Sequence, residues 1–308
     1  SLLLAPPRGV LAGSGRRLRS KTMLLDHDDT DFTLISTELL GQLISTEPSA
    51  CAAPLLPLLR NRYFGLRHGQ SEANLEGIIS SDPAVGTVKH GLTPLGRLQA
   101  RRVGTRLVDL VGRDALRTLY FYSSDFTRAR QTAEETLSAI NNIVDFEARL
   151  AEDLDLPAEE REAIPTEAKL LPGLSAGVRI TPLLRERFFG EFDATTLLNY
   201  NQVWPRDLVS AAHTEFGVES VNNVAARVRE FVIRMEEEHE GDCIVLVSHA
   251  DTLQIAQTYV AGADPRTFSQ YRFVNAEVRE LLQNVASLPA PVPLKYSASE
   301  GSWARMKK

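Results

Sequence analysis

Tyr63-Phe64-Gly65-Leu66-Arg67-His68-Gly69 decides how the chain is read: a short apolar run passes directly into an arginine and a histidine. The arrangement returns at Cys243-Ile244-Val245-Leu246-Val247-Ser248-His249, and Leu119-Tyr120-Phe121-Tyr122 runs likewise into Ser123-Ser124. Apolar runs this short, bounded by polar residues, read as strands buried on both faces. Helical patterns separate them. Thr93-Pro94 supplies an N-cap and a proline at the first helical position, after which Leu95, Leu98, Val103, Leu107 and Leu110 are expected on one apolar face. Phe126, Ala129, Ala133, Leu137 and Ile140 define a second helix, and Val221, Val224, Val228, Val232 and Met235 a third. Strands separated by helices predict an α/β three-layer sandwich: a largely parallel central sheet with helices on both faces.

Outward from this frame the chain divides into three. Residues 1–60 are expected to be an N-terminal extension, 61–284 the domain, with an acidic insertion at 147–177, and 285–308 an irregular tail. Arg8, Arg16, Arg17, Arg19 and Lys21 precede any acid, which resembles an organelle transit peptide, although an unstructured leader fits the same composition. The Pro-rich stretch before Asn61 is expected to pack over the domain. With 308 residues, 43% hydrophobic and 24% charged, the chain can bury a large core. The net charge of −6 provides no broad basic field, so no nucleic-acid partner is expected and any anion site must be local. No run approaches the ~20 apolar residues of a membrane span, so no membrane partner is expected. Cys51 and Cys243 are too few for a disulfide scaffold, and Cys243, inside an apolar run, reads as a buried thiol. The expected location is intracellular: cytoplasmic, or mitochondrial or plastid if the basic N-terminus is a transit peptide.

Ligand sites in open parallel sheets lie where strands end. His68 and His249 therefore face one edge, with Arg67 beside the first and Arg128 on the first turn of the helix that follows Ser124. Free N–H groups of a first turn attract anions, and guanidinium forks match phosphoryl oxygens. A phosphoryl group suits such a site.

Arg67-His68-Gly69-Gln70-Ser71-Glu72-Ala73-Asn74 resembles the RHGxSxxN signature of the histidine phosphatase superfamily, the phosphoglycerate-mutase-like enzymes. In the same order, Leu92-Thr93-Pro94-Leu95-Gly96 with Gln99-Ala100, Ser124 to Ala129 with Gln131-Thr132-Ala133, and Leu184-Arg185-Glu186-Arg187-Phe188-Phe189-Gly190 are similar to further elements of the family. Glu219-Ser220 and Val247-Ser248-His249 complete the set. The resemblance spans roughly 61–282 and implies a phosphoglycerate-mutase-like fold. It implies that His68 is a phosphorylated nucleophile, that Arg67, Arg128 and His249 hold phosphoryl oxygens, that Asn74 adds a polar contact, and that Glu186 protonates the leaving oxygen. Hydrolysis of a phosphomonoester without metal or cofactor is expected, the partner being a small phosphorylated molecule or a phosphoprotein. Ala250 departs from the family's usual glycine and is expected to tighten the pocket. Phe192-Asp193-Ala194 replaces the usual Glu-Gly, which leaves Asp193 as an extra carboxylate near the entrance. The walls that choose the substrate are expected from 147–177 and 192–217.

Two motifs compete and fall short. Gly173-Leu174-Ser175-Ala176-Gly177 matches the GxSxG elbow but follows Pro172, not a strand. Asp26-His27-Asp28-Asp29-Thr30 matches an aspartate-nucleophile pattern with only a short apolar lead, and a solvated acidic run explains it. His27, His90, His213 and His239 show no ligand spacing. A phosphoglycerate mutase is the alternative within the family, but mutases insert a basic segment after the Glu186 element, where 199–220 offers only Arg206 against three acids. A non-catalytic phospholigand-binding module would retain the arginines without needing His68 or Glu186.

Overall fold

The computed structural model describes residues 54–154, 171–292 and 294. The expected strands form as β1 (Arg62–Arg67), β2 (Leu119–Ser123) and β4 (Cys243–Ser248), joined by β3 (Val178–Ile180) and β5 (Val278–Leu281). Their order is β3-β2-β4-β1-β5, parallel except for β5, which pairs antiparallel with β1. β4 and β1 are therefore central, and both carry a histidine at the C-terminal end.

The helices are α1 (Pro94–Val111), α2 (Thr127–Asp153), α3 (Tyr200–Val209), α4 (Val221–Glu238) and α5 (Ala250–Val260), with shorter turns between them. Side chains alternate across a strand, so each strand feeds two cores. Phe64, Leu66, Phe121, Val245 and Val247 pack with Val103 and Leu107 of α1 and Ala129, Ala133 and Ile140 of α2. On the other face Tyr63, Tyr122, Ile244 and Leu246 pack with Val224, Val228 and Val232 of α4 and Leu253 and Ala256 of α5. The result is the α/β sandwich expected, with helices on both faces.

The α1 face is a correction. Thr93 caps the helix as expected, its hydroxyl accepting from Gly96 N at 3.1 Å, but Leu95, Leu98 and Leu110 are exposed. The buried stripe is Gly96, Ala100, Val103, Gly104, Leu107, Val108 and Val111. Small residues lie there because α1 meets backbone: a Cβ on Gly96 would stand 2.0 Å from Gln70 O. Size had misled the hydrophobic count, since a close contact selects glycine over leucine.

The described ends of the expected 147–177 insertion are built into the domain. α2 continues through it to Asp153, and Leu171 and Leu174 are buried beside β2 in the core under α1 and α2. The GxSxG stretch belongs to the short helix Pro172–Ser175, with Ser175 exposed and its hydroxyl on Pro172 O. Both flanks of 61–284 contribute to packing as well. Leu56 and Leu59 lie against the α4–α5 core, Leu294 is buried in it, and Val292 N donates to Gln270 O. Cys243 is buried, which raises its thiol pKa. The basic N-terminus, Cys51 and the Asp26–Thr30 motif lie outside the described residues. No helix among the described residues is long and apolar enough to cross a membrane.

Candidate active site

β1 and β4 run side by side, with Arg67 opposite Ser248 in the register. Their ends therefore deliver His68 and His249 to one place, with ring centroids 5.2 Å apart at 62°. His68 N is held by Ser248 O at 3.0 Å and His68 O accepts from Ala276 N at 3.1 Å, so the backbone of the histidine is fixed from both sides.

The His68 ring is oriented as well as placed. Nδ1 lies 2.8 Å from Gly69 O, and since a carbonyl only accepts, Nδ1 carries the proton. Nε2 is then an acceptor, and Arg128 Nε donates to it at 3.1 Å. Burial, followed by the charges of Arg128 and Arg67, holds the His68 pKa well below its ordinary value. A neutral imidazole with one unprotonated nitrogen is the form that can act as a nucleophile.

Arg128 stands on the first turn of α2 and is 3% exposed. No carboxylate among the described residues pairs with it directly. Nη1 donates to Ser80 Oγ at 3.3 Å and Nη2 to Ser80 O at 2.8 Å. Desolvation pushes its pKa down to about 10. Arg67, also buried, donates Nη1 to Phe273 O at 2.6 Å. His249 Nε2 meets Ser124 Oγ at 3.0 Å, while buried Nδ1 has no hydrogen-bond partner among the described residues. Desolvation, with Arg128 and His68 adding to it, lowers the His249 pKa well below the ordinary range.

Glu186 completes the set from the segment after β3. Its Oε1 accepts from Arg187 N at 2.9 Å and from Thr252 N at 3.3 Å, the latter in the first turn of α5. Burial raises its pKa against the opposing pull of Arg128 and Arg67. Oε1 is occupied by these donors, so Oε2 is the oxygen available to hold a proton.

Asn74 lies apart from this group. Its Oδ1 accepts from Ser71 N at 3.1 Å and Asn275 Nδ2 at 3.2 Å, and Asn275 Nδ2 also reaches His68 O at 3.1 Å. In this structure it braces the His68 loop. Asp193 differs from its expected place at the entrance: its Oδ1 accepts from Ser81 N, Ser81 Oγ and Asp82 N, which ties down the loop whose Ser80 holds Arg128. His90 Nδ1 supports the same Ser80 hydroxyl at 2.8 Å. Ser80 and Thr252 escaped sequence reasoning because a lone serine or threonine carries no spacing signal, whereas Ser124 stood in the strand-end stretch itself.

Beside Glu186 opens a cleft of about 650 Å³, lined by residues that include Pro182, Arg185, Phe188, Thr214, Glu219 and Arg227. Of the two walls expected, 192–217 contributes Thr214 and Gly217, while the described residues of 147–177 contribute none. Behind Glu186, Arg187 is fully buried and forks onto Asp207 at 2.7 and 2.8 Å. Asp251 lies 3.5 Å from the same guanidinium and accepts from Trp204 Nε1. His213 Nε2 is 2.7 Å from Asp207, and His239 is held between Tyr122 and Asp242. Among the described residues no cluster of His, Cys, Asp and Glu forms a metal site.

A family model of the histidine phosphatase superfamily (branch 1) matches residues 64–169 and 160–285, and the chain belongs to that superfamily. Membership supports phosphatase activity in general. Among solved structures, a mycobacterial glucosyl-3-phosphoglycerate phosphatase complexed with VO3 is 21% identical with a TM-score of 0.50, over 71% of this chain and 90% of that one. The alpha-ribazole phosphatase from Shigella flexneri is 22% identical with a TM-score of 0.47, over 77% and 96%. At such identity the first of these speaks to the fold alone. No curated protein matches this sequence significantly.

Proposed function

We propose that the protein is a phosphomonoester hydrolase working through a phosphohistidine on His68. The observation that carries this reading is the His68 ring, with Nδ1–H held by Gly69 O and the Nε2 lone pair facing Arg128 at 3.1 Å. On substrate binding the Arg128 fork exchanges that lone pair for phosphoryl oxygens, joined by Arg67 and His249 Nδ1–H. Nε2 then attacks phosphorus, the bond to the ester oxygen breaks, and that oxygen takes the proton of Glu186. In the second half water attacks the phosphohistidine, gives its proton to the Glu186 carboxylate, and phosphate leaves with His68 regenerated. Positive charge comes from side chains, so the clamp needs no ion, and chelators are expected to leave the rate unchanged.

The mutase alternative requires cations for a second phosphate, and neither cleft arginine is unpaired. The substrate is expected to be a small phosphorylated molecule, with a phosphoprotein as the larger possibility. Brief exposure to phosphate-labelled p-nitrophenyl phosphate, followed by quenching and peptide mapping, is expected to place acid-labile, alkali-stable label on His68. Label on Ser, Asp or Cys would overturn the mechanism.

A further inference from the structure

The cleft beside the phosphate pocket holds charges that are already matched. Arg185 and Arg227 both line it, and either could neutralise a second anionic group on a substrate. Arg185 instead forks onto Asp125, with Nε at 2.9 Å and Nη2 at 2.6 Å. Arg227 donates Nε to Glu219 Oε1 at 3.0 Å and Nη2 to Oε2 at 3.3 Å. Its Nη1 also donates to Leu183 O at 2.6 Å and its Nη2 to Thr252 Oγ1 at 3.3 Å. A carboxylate or second phosphate entering here would meet Glu219 and Glu186 and find no uncommitted cation. Burying such a group without a partner is costly.

The other surfaces of the cleft favour a different occupant. Asn223 and Thr214 present polar side chains that make no hydrogen bond to the described residues, and the Phe188 ring is 39% exposed. Its backbone N–H is fixed on Glu219 Oε2, which holds the ring at the rim. Hydrogen-bonding groups beside an exposed aromatic face suit a molecule with hydroxyls on its edge and C–H bonds on its face. We propose that this cleft selects monophosphates of uncharged polyhydroxy alcohols, such as sugars and polyols, and rejects esters carrying a second anionic group. The proposal rests on the phosphatase reading and adds the identity of the leaving group.

Two matched pairs test it: glycerol 3-phosphate against 3-phosphoglycerate, and sorbitol 6-phosphate against 6-phosphogluconate, with p-nitrophenyl phosphate as the control for phosphatase activity. The members of each pair differ chiefly by a carboxylate. At least one pair is expected to favour its neutral member by about tenfold or more in kcat/KM, since like charges brought together are strongly penalised. Glu219→Gln, which leaves Arg227 without its carboxylate, is expected to shrink that ratio by raising turnover of the anionic member. Equal or reversed preference in the wild type, or turnover of p-nitrophenyl phosphate with neither pair accepted, overturns the proposal and leaves the phosphatase reading standing. No turnover of any of the five compounds overturns both. The wild-type ratios decide the matter even if the variant fails to fold.

Discussion

Arg128 and Arg187 are buried to nearly the same depth and differ in almost everything else. Arg187 is enclosed by Asp207 and Asp251, and their charges, with hydrogen bonds, outweigh desolvation to raise its pKa. Among the described residues Arg128 has Ser80, a neutral His68 and the Phe126 ring as side-chain neighbours and no paired carboxylate, and its pKa is pushed down to about 10. The first is charge satisfied within the protein. The second is buried charge without a counter-ion, which in the proposed mechanism is the place an anion takes. Depth of burial alone does not separate a structural arginine from a binding one; the nature of the partner does.

The sharpest break of this comparison is Arg128→Met. The kcat/KM for p-nitrophenyl phosphate is expected to fall by ~10³-fold, as for removal of a preorganised donor to a charged transition state. The melting temperature should hold level or rise, because an uncompensated buried charge has gone. A marked drop in melting temperature would mean that Arg128 is as structural as Arg187. Arg187→Met should do the reverse. Removing it strands Asp207 and Asp251, and urea titration should show about 3–5 kcal/mol of lost stability.

Glu186 lies between the two regions, and its variant sharpens the division. Glu186→Gln is expected to slow burst-phase cleavage of an alkyl phosphate by ~10²-fold and of p-nitrophenyl phosphate much less, because an acidic phenol leaves without a proton. The wild-type alkyl rate should decline on the alkaline side as Glu186 ionises and persist into acid, where the lowered pKa keeps His68 neutral. Equal losses on both substrates would make Glu186 a positioning residue. The smallest effect concerns Asp251, whose carboxyl is pushed up to about 7, first by burial and then by Glu186. Between about pH 4, where it titrates unfolded, and about 7, the native state binds the extra proton, so this group's contribution to stability is lost as pH rises. Asp251→Asn should flatten that part of the stability profile measured by urea titration; an unchanged slope would place the titration elsewhere.

The parts of the molecule that were legible before folding share a property: their signal is local. His68 and His249 each follow an apolar run, and Arg128 follows Ser124 at a fixed short distance, so strand ends and first helical turns could be placed along the chain. β5 was not legible, since Val278-Arg279-Glu280-Leu281 carries two charges and relies on β1 for its strand character. The packed face of α1 was misread because the contact it makes is with backbone, which hydrophobicity does not register. The environment of Glu186 was hidden for a third reason. Its pKa is raised by burial against the opposing pull of Arg128, Arg67 and the N–H groups of Arg187 and Thr252, and the support of Arg128 depends on Ser80, Asp193 and His90, residues far apart in sequence and chemically ordinary until they meet.

The position of β1 between β4 and β5 also sets a timetable. β1 is the first strand of the sheet to be synthesised, and both of its neighbours are among the last. At translation rates of about 5–20 residues per second, about 10–40 s separate His68 from Leu281. Until then the histidine lacks Ser248 and Ala276 on either side of its backbone and His249 beside its ring. The candidate site therefore cannot be complete in the nascent chain until both β4 and the segment leading into β5 have been made.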